Sequence, residues 1–232
     1  MVWKKRFDYP VLGKLNQFQF DPHLLFNDFE EMSANTKFNG LMAEYNGLCS
    51  THNKLPDFFL KENQAPDENA SYSQLALSAW DSDYSLEMRP ERSGTLWDTT
   101  FPKKNKLADE RFYRKPVEGI PPYLSSVLDT FRPYLHRARF AKLNAKSQVL
   151  PHIDYDTTYG IRLHVAIMTN ADCVNGGLQE DGTPLEGHIP ADGSIWFVNQ
   201  GVKHWAKNNG DSDRVHLIMS LDTQKFIEQF IC

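Results

Sequence analysis

Within Val149-Leu150-Pro151-His152-Ile153-Asp154 an imidazole and a carboxylate stand two residues apart. On an extended strand the period of two turns both side chains to one face. A second imidazole, His204, follows the apolar run Ser194 to Val198, and a guanidinium, Arg214, comes ten residues after it. Two neutral imidazoles and one carboxylate that leave coordination positions open are the donor set of non-haem Fe(II) oxygenases. Arg214 meets the second need of a 2-oxoglutarate-dependent member, a fork-shaped cation for the far carboxylate of the cosubstrate. An HxD pair alone is weak in a chain with eight histidines. The ordered set His152, Asp154, His204, Arg214 is much more specific.

Residues 136–222 supply the elements that must hold these groups. Five strands are predicted, over 139–144, 148–154, 162–170, 194–199 and 214–221. The turn signals between them are Asn175-Gly176-Gly177, Asp181-Gly182, Asp192-Gly193 and Asn209-Gly210. Alternation is plain in Arg162-Leu163-His164-Val165-Ala166-Ile167 and in Arg214-Val215-His216-Leu217-Ile218-Met219. One face of each strand is therefore polar and the other apolar, as in a jelly roll with a partly polar interior. A helix is expected from Asp21-Pro22 with Leu24, Leu25, Phe29 and Met32 as its apolar stripe. Another follows Pro121-Pro122 with Tyr123, Leu124, Val127, Leu128 and Phe131, and a short amphipathic helix follows Asp222 with Phe226, Ile227, Phe230 and Ile231. From Asn39 to Glu118 no period is sustained, which suits loops that wall a substrate site. The expected fold is mainly β with flanking helices, a double-stranded β-helix (cupin-like) core over 136–232. Helices and covering loops of 1–135 pack on that core, in one structural domain.

The 232 residues carry 25 Lys and Arg against 30 Asp and Glu, a net charge of -5. With the basic residues scattered among acids, nucleic acid is not an expected partner. No apolar run of about 18 residues exists to span a membrane, and Asp8 and Pro10 interrupt any leader-like start, so a cytoplasmic setting is expected. Cys49, Cys173 and Cys232 have neither disulfide nor zinc-site spacing and read as free thiols.

The motifs Leu-Pro-His-Ile-Asp-Tyr, Arg-Leu-His-Val, Gly-Ser-Ile-Trp-Phe-Val-Asn, Val-Lys-His and Arg-Val-His-Leu-Ile-Met resemble the aspartyl/asparaginyl β-hydroxylase-like 2-oxoglutarate oxygenases, which include bacterial proline cis-4-hydroxylases. The resemblance covers about residues 136–222. It implies that His152, Asp154 and His204 ligate Fe(II) and that Arg214 binds the C5 carboxylate of 2-oxoglutarate. Arg162 and His164 would then meet the C1 end. It further implies use of O₂, release of succinate and CO₂, and hydroxylation of a C–H bond. The substrate would be a free, proline-like amino acid, or an Asp, Asn or Pro residue in a peptide. Two departures stand out. The relatives acting on epidermal growth factor-like domains have Gly where this chain has Asp154, which moves it toward the proline branch. They also place Ser, a cosubstrate partner, eleven residues before the first iron histidine, where this chain has Ala141. Their membrane anchor and helical-repeat region have no counterpart here, so a secretory-pathway substrate is not expected.

Other readings of the same residues stay open at this level. Two histidines and a carboxylate also suit a different cupin-like metalloenzyme, such as a zinc hydrolase or an isomerase, and the barrel also suits a non-catalytic binding protein. His216 either lines the cavity with Arg214 or packs as a core imidazole. Asp156 competes with Asp154 as the carboxylate ligand, while His23, His52 and His136 read as surface residues and His188 as a turn residue. For a substrate carboxylate the sequence offers Arg89, Arg92 and Arg139 without choosing among them. Tyr155, Tyr159, Trp80 and Trp97 are aromatic candidates for the same region, and Trp196 and Trp205 read as core and rim aromatics.

Overall fold

The computed structural model describes residues 6–36, 39–40, 71–79, 81, 83, 110–154, 156–157 and 159–221. Two antiparallel sheets face each other. The strands in chain order are β1 (Leu12–Gln19), β2 (Asn39–Gly40), β3 (Tyr72–Ala76), β4 (Ser78–Ala79), β5 (Lys115–Pro116), β6 (Leu135–Leu143) and β7 (Ser147–His152). They continue as β8 (Ile161–Met168), β9 (Cys173–Leu178), β10 (Pro184–Gly187), β11 (Ser194–Val198), β12 (His204–Asn208) and β13 (Arg214–Leu221). The larger sheet runs β1-β11-β8-β13-β6-β3-β2 and the smaller β10-β9-β12-β7, with β4 and β5 paired separately. The fold is a mainly β jelly roll of the double-stranded β-helix kind.

Alternation along β13 divides the larger sheet into two environments. Val215, Leu217, Met219 and Leu221 join Leu163, Val165, Phe140 and Phe197 in the apolar core. Helices α1 (Pro22–Asn35) and α2 (Pro122–Asp129) cover that face. Leu25, Phe29 and Met32 of α1 are buried, spaced at i, i+4 and i+7, and the Phe29 ring meets Phe140 edge-on at 5.2 Å. Leu24, expected in the same stripe, is 43% exposed instead, because it lies about 100° around the helix from Leu25. The Asp21 carboxylate caps α1 by accepting from the amides of His23 and Leu24 at 2.9 and 3.2 Å. Helix α2 has no capping side chain of its own; Asp28 of α1 accepts from the Leu124 amide and so caps it from outside. Phe131 is fully buried but lies beyond the end of α2. The helix expected after Asp222 lies outside the described residues.

The opposite face of the larger sheet looks toward the smaller sheet and is polar. Register places Arg137, Ser220 and Arg162 in one row, then Arg139, Ile218 and His164 in the next, with His216 flanked by Ala141 and Ala166 beyond. These strands are buried on both faces, which is why His136, expected at the surface, has no exposure at all. Its Nδ1 sits 3.2 Å from the Glu110 carbonyl oxygen.

Several strands have no alternation that a sequence reading recognises. Gly176 and Gly177, expected in a turn, lie inside β9. A Cβ on Gly176 would come within 2.6 Å of the Trp205 ring, and one on Gly177 within 2.8 Å of Val11. These glycines serve close approach rather than chain reversal. Gly193, by contrast, has φ of +81° and turns the chain as expected.

Candidate active site

His152 ends β7 and His204 begins β12, where the two residues face each other as cross-strand partners. Their ring centroids are 4.2 Å apart. Asp154 lies two residues beyond β7, where its amide donates to the Gln200 carbonyl at 3.1 Å. Its carboxylate oxygens stand 3.8 Å from His152 Nε2 and 4.0 Å from His204 Nε2. One donor atom from each of the three lies within 4.8 Å of the others. Backbone carbonyls fix both rings: Nδ1–H of His152 donates to Leu150 O at 2.7 Å and that of His204 to Val202 O at 3.0 Å. With the protons held on Nδ1, the Nε2 lone pairs are left for a cation. Burial and the neighbouring His152 push His204 down to about 4, so the ring is neutral at pH 7. Burial raises Asp154, but Arg162 and then the two histidines outweigh it and hold the carboxyl below its ordinary value. Two imidazole Nε2 atoms and a carboxylate that converge in this way fit a divalent transition metal. Asp156 is not part of the cluster; it pairs with Arg6 at 3.0 Å.

From Asp154 a chain of buried charge crosses the interior. Arg162 Nη1 donates to Asp154 Oδ2 at 2.5 Å and its Nη2 lies 3.3 Å from Glu110. The second oxygen of Glu110 meets Arg137 Nη1 at 3.3 Å, and Arg137 Nη2 donates to Gln74 at 2.8 Å. Burial would raise the Glu110 carboxyl, but Arg162, Arg137 and Arg139 together hold it well below the usual range. Glu110 comes from a 3₁₀ turn, Glu110–Phe112, inside the stretch without sequence periodicity. No pattern in the sequence marks it as a site residue.

Arg214 stands at the other end of this interior. It is 3% exposed, lies 2.8–3.0 Å from the ring nitrogens of His216 and donates to Asn175 Oδ1 of the smaller sheet at 3.2 Å. Among the described residues no carboxylate lies within 4.0 Å of it. Burial lowers it to about 10, which leaves it charged at neutral pH. His216 Nδ1 is 3.2 Å from His164 Nδ1, so one ring donates and the other accepts. The alternatives left open for His216 are both realised: it is buried, and it lies on the polar inner face beside Arg214. Arg162, His164, His216 and Arg214 thus follow one another along one inner face that begins at the His-Asp-His cluster. Ala141, paired with His216, leaves that part of the wall without a polar side chain.

Burial and then Arg214 push both His164 and His216 well below their ordinary value. A depressed histidine is neutral in the folded state while its unfolded counterpart takes a proton, so stability is full above about pH 6.5 and falls as the pH drops below it. The limiting slope is about 1.4 kcal/mol per pH unit for each ring. Urea midpoints of the metal-free protein should therefore decline steadily from pH 7 to 5, and His216→Asn should flatten the decline. A pH-independent midpoint in that window would refute the neutral pair.

Of the remaining candidates, His23 is exposed, and His188 is half-buried with its ring against the Cys173 carbonyl at 2.9 Å. Tyr159 is buried with the Arg111 guanidinium 4.4 Å above its ring. Trp205 donates to Glu186 at 2.5 Å. Trp80, Arg89, Arg92, Trp97, Tyr155, His52, Cys49 and Cys232 lie outside the described residues. No helix among the described residues is long and apolar enough to cross a membrane.

Residues 44–223 match the family model described as Aspartyl/Asparaginyl beta-hydroxylase, most of the chain and all of the site. The chain belongs to the aspartyl/asparaginyl beta-hydroxylase family. Within the family's range of proteins it is similar to an L-proline cis-4-hydroxylase from Rhizobium meliloti (strain 1021), 28% identical over 121 residues. That match takes in 50% of this chain but only 41% of the relative's length. Among solved structures, a 2OG-Fe(II) oxygenase family oxidoreductase from Burkholderia pseudomallei aligns with a TM-score of 0.37 and 12% identity, over 46% of this chain and 60% of that one. HygX from Streptomyces hygroscopicus, with nickel and 2-oxoglutarate bound, aligns at 0.31 and 9%, over 37% and 54%.

Proposed function

We propose that this chain is an Fe(II)- and 2-oxoglutarate-dependent hydroxylase of an amino acid, free and proline-like or held as Asp, Asn or Pro in a peptide. The observation that carries this reading is one inner face with two ends: Nε2 of His152 and His204 converging with Asp154 at one, and buried Arg214 with no carboxylate within 4.0 Å among the described residues at the other. His152, Asp154 and His204 would hold Fe(II), which when bound supplies the O₂ activation that couples decarboxylation of 2-oxoglutarate to C–H hydroxylation, yielding succinate and CO₂. The chain's own part is orientation. Leu150 and Val202 carbonyls fix the imidazole tautomers, Arg162 holds the Asp154 carboxylate, and Arg214 takes the distal cosubstrate carboxylate bidentately. Arg162 and His164 would contact its other end.

Strands β1 and β3, from the first 135 residues, pair with β11 and β6 of the remainder, which supports treating 1–135 and 136–232 as one catalytic domain. Three cysteines without disulfide spacing favour a cytoplasmic setting.

The test is succinate formation by anaerobically reconstituted Fe(II) protein exposed to O₂, across the amino acids and a peptide pool, with mass spectrometry for a hydroxylated product. Stimulated succinate release with a product heavier by one oxygen is the expected result. Retention of zinc with no 2-oxoglutarate consumption on any substrate would transfer the site to the hydrolase or isomerase reading.

A further inference from the structure

The inner face of the larger sheet carries four guanidiniums, Arg137, Arg139, Arg162 and Arg214, and among the described residues the carboxylates found within 4.0 Å of them are Glu110 and Asp154. Arg162 and Arg137 share those carboxylates. Arg214 faces the position assigned above to the cosubstrate. That leaves Arg139, in the middle of β6 between Ala76 and Ile218. It is 2% exposed, its Nε and Nη1 are enclosed with no acceptor, and no carboxylate among the described residues lies within 4.0 Å of it. Burial and the nearby Arg137 and Arg162 press its guanidinium below its ordinary value, outweighing the favourable influence of Tyr72 and Glu110. An unpaired buried charge is strongly destabilising, and such a cost persists where function requires the group.

Register fixes where the missing anion would sit. Ile218 alone separates Arg139 from His164 along their row, which is two strand spacings or about 10 Å. Arg139 therefore faces the interior beside the side chains that run from Arg162 to Arg214 rather than among them. Resting on the oxygenase reading for the cosubstrate's place, we infer that Arg139 pairs with the α-carboxylate of the substrate, and that the substrate is a free amino acid. Inside a peptide the same carbon is a neutral amide, which cannot compensate the guanidinium.

Calorimetric titration of the anaerobic Fe(II) protein, with 2-oxoglutarate present, against the L-amino acids and the carboxamide of each one that binds provides the test. At least one acid should bind, and its carboxamide should bind roughly 30-fold more weakly, the scale of a lost charge-assisted pair. Arg139→Met should erase that preference, weaken the acid by a similar factor, and change 2-oxoglutarate affinity less than about threefold. Because it removes a buried charge that meets no carboxylate within 4.0 Å among the described residues, the same variant in metal-free form should melt several degrees higher than wild type. Should Arg139→Met not fold, Arg139→Lys keeps the charge and should keep part of the preference for acid over amide. Equal binding of acid and amide by the wild type, a lower melting temperature for folded Arg139→Met, loss of 2-oxoglutarate affinity in step with the acid, or binding of no free amino acid by protein that binds 2-oxoglutarate would each overturn the inference. Selective acid binding without succinate release would leave Arg139 in place and overturn the oxygenase reading instead.

Discussion

His152→Ala and Asp154→Ala each lower Fe(II)-dependent 2-oxoglutarate consumption by about 1,000-fold or more. Loss of an outer partner of a metal ligand typically costs 10–100-fold, and these changes remove the ligand itself. For His152 the geometry admits no replacement, since among the described residues the cluster of possible ligands is His152, Asp154 and His204 alone. Asp154→Ala has a second consequence, because Asp154 also anchors Arg162 Nη1. Without it Arg162 retains the 3.3 Å contact to Glu110. The variant therefore loses a ligand and takes the Asp154 carboxylate from a guanidinium beside the vacancy, whose charge then opposes a divalent cation. Asp154→Gly should fail equally, although relatives acting on epidermal growth factor-like domains have Gly at this position, since here the carboxylate is tied into a charge chain that reaches Glu110 and Arg137. Iron binding by equilibrium dialysis, alongside succinate release, separates lost metal from misplaced metal. Near-wild-type turnover by His152→Ala would remove the assignment altogether.

The parts of this architecture that a sequence reading reaches are those where one local pattern determines the outcome. Strands β8 and β13 alternate because one face lies on the helices and the other on the polar interior, so Arg162, His164, Arg214 and His216 could be placed on a single face in advance. Asp21-Pro22 marks its helix start because cap and first-turn chemistry are local. Strand β9 was hidden by Asn175-Gly176-Gly177, whose glycines make room for Trp205 and Val11 from distant parts of the chain. Strand β1 is an edge strand with a mostly open surface, so its burial pattern carries little alternation. Glu110 was out of reach for another reason. Its role arises only when a 3₁₀ turn is brought against β6 and β8, and no spacing in the sequence records that meeting. The same holds for Arg139, whose isolation depends on which acids the fold sends elsewhere.

Arg214→Leu raises the 2-oxoglutarate requirement by about 100-fold while leaving the protein folded and its iron affinity within a few-fold of wild type. The size, about 2.8 kcal/mol at about 1.4 per tenfold step, lies within the roughly 1.5–3 kcal/mol that a hydrogen bond to a charged group contributes net of solvation. Stability should not suffer in proportion. Arg214 is buried with a histidine and an asparagine as neighbours and no carboxylate within 4.0 Å among the described residues, so its removal also removes a desolvation penalty that no described carboxylate offsets. Arg214→Lys should recover only part of the loss, because a point charge cannot reproduce the planar fork. The decisive comparison uses 2-oxobutyrate, which keeps the chelating 2-oxoacid end but lacks the distal carboxylate. Wild type should discriminate strongly between the two 2-oxoacids, and Arg214→Leu should discriminate hardly at all, since the group that reads the difference is gone. If the variant weakened both equally, Arg214 would be shaping the inner face through His216 and Asn175 rather than reading charge, and the cosubstrate's far end would have to be sought elsewhere on that face.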